Sequence, residues 1–143
     1  MLILDTDLLT LVQRREGDAY ERLDARLQVA KLTEDIYVTI VSFEEQMRGW
    51  LSYIAGAKTF EKQVEAYKRL HELFDDFQIR EILDFDQAAV RQLEQLPVRK
   101  VRIGAMDRKI ASIALSRNAK LLSRNLKDYR KVPGLQVEDW TAP

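Results

Sequence analysis

The residues of this chain that could do chemistry are acids, and they stand where apolar runs end. "MLILDTDLL" carries Asp5 and Asp7 directly behind four apolar residues, and "VTIVSFEEQMRGW" sets Ser42, Glu44 and Glu45 behind a β-branched run. "RIGAMDRKIASIAL" puts Asp107 ahead of a helical apolar pattern, and "LLSRNLKDYRKVPG" puts Ser123, Asn125 and Asp128 behind another apolar pair. Each acid has an ordinary use. Ser42 and Glu45 match a helix capping box, Asp107 suits the positive end of a helix dipole, Asp128 suits a turn, and Asp7 suits an N-cap. Asp5 is hardest to explain in that way, because a carboxylate at the end of a buried strand needs a partner. Grouped carboxylates raise one another's pKa values unless a cation neutralises them. Oxygen-only donors favour Mg²⁺ or Mn²⁺, ions that polarise phosphodiesters and activate water. The expectation is that Asp7 caps a helix, while Asp5, Glu45, Asp107 and Asp128 converge with Asn125 nearby.

Composition narrows the chemistry. The 143 residues suit one domain over 1–143, and 46% hydrophobic with 32% charged residues indicates a globular chain rather than a disordered one. With no cysteine, disulfides, thiol nucleophiles and cysteine-zinc sites are excluded, and the single histidine, His71, argues against a histidine metal site or a Ser-His-Asp triad. No apolar run approaches the roughly 18–20 residues that cross a bilayer. Asp5 interrupts the apolar start too early for a secretory signal, so a cytoplasmic protein away from membranes is expected. The zero net charge conceals a division: Pro97–Lys131 holds eleven basic and two acidic residues, net +9, and the remainder carries −9. Such segregation favours a polyanionic partner, unless the cations scatter in three dimensions.

The elements that must position the acids alternate in type. Met1–Leu4 reads as a strand, and the stretch to Arg15 as a helix that Gly17 ends. Asp18 caps a second helix to about Leu32, and Ile36–Val41 is a strand. Helices follow over Ser42–Ile54 and Thr59–Phe74, the latter with Phe60, Val64, Tyr67, Leu70 and Phe74 spaced for one face. Phe77–Leu83 reads as a strand, Asp86 caps a helix to Leu96, and Ala105–Arg117 is another helix. "AKLLS" and "LQVEDW" read as short strands around a polar connection over 123–134. This order implies an α/β fold, three-layer α/β/α with a mainly parallel central sheet. Ligands of such sheets bind beyond the carboxyl ends of the strands, where the acids fall.

The four quoted blocks, in this order and spacing, together with "LDFDQAAV", resemble the PIN-domain family, specifically the VapC-like ribonuclease toxins of toxin–antitoxin pairs. The resemblance covers nearly the whole chain. It implies a Mg²⁺- or Mn²⁺-dependent endoribonuclease whose acids fall on Asp5, Glu45 (four residues before Gly49) and Asp107. Asn125 or Asp128 completes the metal site, Asp128 being the one that can supply charge. Thr6 orients Asp5, and Ser123 supplies the hydroxyl at a position where the family often has threonine. Arg108, Arg124, Lys127 and Arg130, close to the acids, are the expected RNA contacts. The resemblance also implies a homodimer and a VapB-like antitoxin lying in a groove between the early helices, around Leu8–Leu32 and Phe60–Phe74, although building the core is the readier use for most of their apolar residues. Two other readings are open. One is a PIN-like module that binds RNA or protein without cutting. The other is a haloacid-dehalogenase-like phosphatase using Asp5, although in "DTDLLTL" the threonine falls one residue late for D-x-D-x-T.

Overall fold

The computed structural model describes residues 1–143. Five strands, β1 (Leu2–Leu4), β2 (Ile36–Thr39), β3 (Ile82–Leu83), β4 (Lys120–Leu122) and β5 (Gln136–Glu138), form one sheet in the order β3-β2-β1-β4-β5. Every pairing is parallel, so all carboxyl ends share one rim. The chain begins in the middle of the sheet, builds outward to β3, then returns to the other side of β1. That reversal puts the topological switch point beside β1, where α/β sheets open a crevice.

Alternation along the strands fills both sides. Leu2, Leu4, Val38 and Leu122 pack with Leu8, Leu9, Leu23, Leu27, Leu73 and Phe77, from helices α1 (Thr6–Arg14), α2 (Asp18–Ala30) and α4 (Phe60–Gln78). Ile3 and Leu121 face the opposite way, onto Ala89, Ile110, Ile113 and Ala114 of α5 (Gln87–Glu94) and α6 (Ala105–Ser116). α3 (Ile40–Gly56) follows β2 directly and packs on α4. The result is the three-layer α/β/α arrangement that the alternating sequence implies.

Three stretches differ from the sequence reading. Phe77 belongs to α4, not to a strand, because its ring packs edge-on against Phe43 at 4.9 Å and continues the inward-facing series of buried Ala66, half-buried Leu70 and buried Leu73. That series occupies the α4 face turned toward the sheet. The stripe expected to be buried is instead exposed at Phe60 (85%), Val64 (69%), Tyr67 (58%) and Phe74 (56%), with only Leu70 packed inward. α4 therefore carries two apolar stripes side by side, and periodicity alone picked the outer one. Finally, the polar connection contains a short helix, α7 (Leu126–Tyr129), and Tyr129 is fully buried.

Candidate functional site

Asp5 follows β1 and is the N-cap of α1, accepting from the Thr6 N–H at 2.9 Å. The helix thus begins one residue before Asp7, which corrects the expected cap. Asp7 instead ties the start of α1 to the loop after β4, accepting from the N–H groups of Leu8 (2.7 Å) and Arg124 (3.1 Å). Asp5 is 5% exposed and receives two further hydrogen bonds, from the Ser123 hydroxyl at 2.8 Å and the Tyr129 hydroxyl at 3.2 Å. Desolvation, then the nearby Asp7 charge, push its pKa up to about 7 despite these donors.

Glu45 reaches the same place from α3. The capping box that Ser42 and Glu45 spell is not formed: Thr39 is the N-cap, accepting from the Ser42 N–H, which leaves Ser42 buried and Glu45 available to the site. The Thr6 hydroxyl donates to Glu45 Oε1 at 2.9 Å and lies 2.8 Å from the Ser42 hydroxyl. Having one proton to give, Thr6 receives from Ser42. Thr6 therefore orients Asp5 only through its backbone N–H, and its side chain serves Glu45.

Asp107 stands in the first turn of α6, as expected, and accepts from the Tyr129 hydroxyl at 3.1 Å. The Asn125 amide lies 3.4 Å from Asp107 Oδ2 and 3.1 Å from Asp128 Oδ2. Burial raises the pKa values of Glu45, Asp107 and Asp7. Asp128 behaves differently. Hydrogen bonds from Asn125 and Lys131 hold its carboxyl below the ordinary range.

Asp5, Thr6, Asp7, Thr10, Glu45, Asp107 and Asn125 line one cavity of about 330 Å³ with no apolar and no basic side chain in its wall. Asp128 is outside it, on the wall of a neighbouring cavity of about 530 Å³ with Val98, Arg99, Val101, Arg102, Ile103, Gly104 and Arg108. Of the two residues left open for the fourth position, Asn125 is the one that faces the other acids. Arg108 is also placed differently from the sequence expectation: it donates to the carbonyls of Val101 (2.8 Å) and Leu96 (2.6 Å), clamping the loop ahead of α6 rather than presenting a free cation. Arg124, Lys127 and Arg130 are exposed on the loop after β4 and on α7. The basic block divides, since Arg117 and Lys120 lie at the opposite rim, paired with Asp86 and Glu138.

Tyr129 is the residue the sequence reading missed. Its signal was an aromatic residue inside a polar stretch, four positions after Asn125, one helical turn away on the same face. Its hydroxyl pKa is pushed up by burial and by the Asp5 and Asp107 charges, so it stays protonated, within reach of both carboxylates and donating to one at a time.

The donor set fits a hard divalent ion: carboxylate oxygens gathered at one rim, no soft ligand, and no basic side chain in the cavity wall. No three acids stand as a finished coordination shell.

A PIN-domain family profile matches residues 2–135. The chain belongs to the PIN-domain family. Among solved structures, it is similar to the chain in a VapBC2 complex from Rickettsia felis bound to promoter DNA, with a TM-score of 0.74, 24% identity, and 97% of this chain and 98% of that chain covered. A VapBC-1 structure from nontypeable Haemophilus influenzae gives a TM-score of 0.63 and 25% identity over 99% of this chain and 98% of that one. In sequence it is 33% identical over 64 residues to a tRNA(fMet)-specific endonuclease VapC of Salmonella typhimurium, covering 42% of this chain and 48% of that protein. The match to the Shigella flexneri counterpart is 32% over 65 residues, so the chain spans about half the length of the curated relatives it matches. No helix is long and apolar enough to cross a membrane.

Proposed function

We propose that this PIN-domain protein is a Mg²⁺- or Mn²⁺-dependent endoribonuclease, the toxin of a toxin–antitoxin pair, working as a homodimer. The observation that carries this reading is the wholly polar cavity at the carboxyl rim of the sheet, into which Asp5, Glu45 and Asp107 face without a basic partner. These three acids, with Asn125 alongside, would hold the ion. When bound, it supplies an activated water and neutralises phosphate charge. The protein's own part is to keep the acids in place. Ser123, Tyr129 and the Thr6 N–H fix Asp5, the Thr6 hydroxyl aims Glu45, and Tyr129 with Asn125 fixes Asp107. The similarity to VapC endonucleases supports RNA as substrate. The exposed stripe of Phe60, Val64, Tyr67 and Phe74 supports a protein partner, since four large apolar side chains on one helix are costly to leave in water. A VapB-like antitoxin is the partner we assign to it.

Purified protein incubated with total RNA should cut it when Mg²⁺ or Mn²⁺ is added and stop when the ion is chelated. Asp107→Asn should lower the rate at least about a hundredfold with an unchanged circular dichroism spectrum. Metal-independent cleavage, or full activity in the variant, would sink the shared-metal site, and RNA binding without any cleavage would favour a non-cutting module.

Thr6 offers a finer measurement. Thr6→Val removes the donor to Glu45 while preserving shape, and should lower cleavage by about tenfold, in line with other groups that orient metal ligands. Thr6→Ser should restore it. Equal rates for valine and serine variants would show that the hydroxyl does not matter.

A further inference from the structure

The cavity on the other side of Gly104 is larger than the acidic one and opposite in charge. Its volume of about 530 Å³ falls within the range of pockets that take a small organic group, about 300–1,000 Å³. The two sites adjoin: a Cβ built on Gly104 would stand 4.0 Å from the Asp107 carboxylate, and Asn125 bonds across to Asp128 on the shared wall. Arg99 and Arg102 are exposed at the cavity, whereas the ion pairs of this basic segment fall on Arg117, Lys120, Arg124 and Lys131. Arg108 adds a third guanidinium whose partners are neutral carbonyls, so its charge is not cancelled either. The one acid in the wall, Asp128, is already engaged by Lys131 and Asn125. The same wall carries Val98, Val101 and Ile103.

Cations beside an apolar wall match a nucleotide, with its phosphate on the guanidinium groups and the face of its base against aliphatic side chains or an arginine plane. We infer that this cavity holds one unpaired nucleotide of the RNA strand next to the one whose phosphate enters the acidic cavity. The inference rests on the ribonuclease reading for the identity of the strand. It selects single-stranded RNA, because a base stacked and paired within a duplex is not free to enter a concave site. Arg108 shapes the site by fixing the loop through the Leu96 and Val101 carbonyls, and Arg99 and Arg102 make the contacts.

The test is binding of a fluorescent single-stranded RNA oligonucleotide to the full chain in EDTA, read by anisotropy over a salt series. The Arg99→Ala/Arg102→Ala double variant should bind about tenfold more weakly at low salt, with the slope of log affinity against log salt reduced by about 1.4, roughly 0.7 per lost phosphate contact. A double variant of equal charge change on α4, in the opposite layer, Lys62→Ala/Lys68→Ala, should bind as the unmodified chain does. Where cleavage is measured with Mg²⁺ or Mn²⁺, KM should rise for Arg99→Ala/Arg102→Ala, with kcat nearly constant. Equal losses in both double variants, or no loss in either, would overturn the assignment. RNA binding that depends on Arg99 and Arg102 in a protein that never cuts would support the cavity while defeating the ribonuclease reading. Cleavage with KM and binding untouched by the double variant would defeat the cavity alone.

Discussion

Asp5→Asn should lower RNA cleavage at least about a hundredfold and yet raise the melting temperature of the metal-free protein at pH 8. The activity loss reflects a carboxylate at the centre of the cluster. The stability gain follows from linkage. Folding raises the Asp5 pKa from 3.8 to about 7, so the unfolded chain ionises first as pH rises. Stability is then full below about pH 4 and is lost progressively until the folded carboxyl has also ionised, near pH 7. Three pKa units correspond to at most about 4 kcal/mol. The realised gain will be smaller, because asparagine cannot accept from Ser123, Tyr129 and Thr6 on two oxygens as Asp5 does. A rise of several degrees at pH 8 is expected for a chain of this size, shrinking at pH 5, where Asp5 of the unmodified protein is mostly protonated. Added Mg²⁺ or Mn²⁺ should reverse the order by stabilising only the protein that binds it. Thermal melts at the two pH values, in EDTA and in metal, decide this. A variant less stable than the original at both pH values in EDTA would contradict the account of Asp5 as an uncompensated buried charge.

The parts of the fold that were readable from the chain are those fixed by local chemistry. β-branched and leucine-rich runs end in polar residues, and the helices between them show regular periods, so the alternation that requires a parallel sheet is visible without coordinates. Asp86 was correctly read as a cap because its side chain meets the Ala89 N–H within its own turn. The misreadings concern choices made by distant contacts. α4 carries two adjacent apolar stripes, and only packing against α3 and the sheet selects the one through Ala66, Leu73 and Phe77. Ser42 and Glu45 spell a capping box, but Thr39 caps α3 one turn earlier, and Thr6, 39 positions away, takes Glu45. Arg108 looked like a free cation because nothing in its neighbourhood reveals that its guanidinium reaches back to Leu96 and Val101.

The candidate site was legible in a similar way. Strand ends and helix starts announce Asp5 and Asp107, since an acid there is unusual enough to need a reason. The separation of Asn125 from Asp128 was not legible, because two residues three positions apart at the start of α7 can turn either toward the acids or toward Lys131.

Tyr129 should show the largest loss of stability among the residues around this site, and two substitutions divide its roles. It is the bulkiest of the fully buried side chains, so Tyr129→Ala should destabilise the protein by about 3–5 kcal/mol through lost burial and the cavity left behind. Tyr129→Phe preserves that packing and removes one hydroxyl. That hydroxyl stands 3.2 Å from Asp5 and 3.1 Å from Asp107, with a single proton that it can direct to only one of them at a time. It therefore holds two repelling carboxylates at a fixed separation across the cavity, the arrangement a divalent ion would need to find ready. In Tyr129→Phe, the melting temperature should return most of the way to that of the unmodified chain, while Mn²⁺ affinity falls about tenfold, as when a partner that orients a metal ligand is lost. Isothermal titration with Mn²⁺ reads that affinity directly, and the Mn²⁺ concentration needed for half-maximal cleavage should shift with it. Unchanged Mn²⁺ affinity in Tyr129→Phe would mean that the ring only fills space and that the acids keep their separation through Ser123, Thr6 and Asn125 alone.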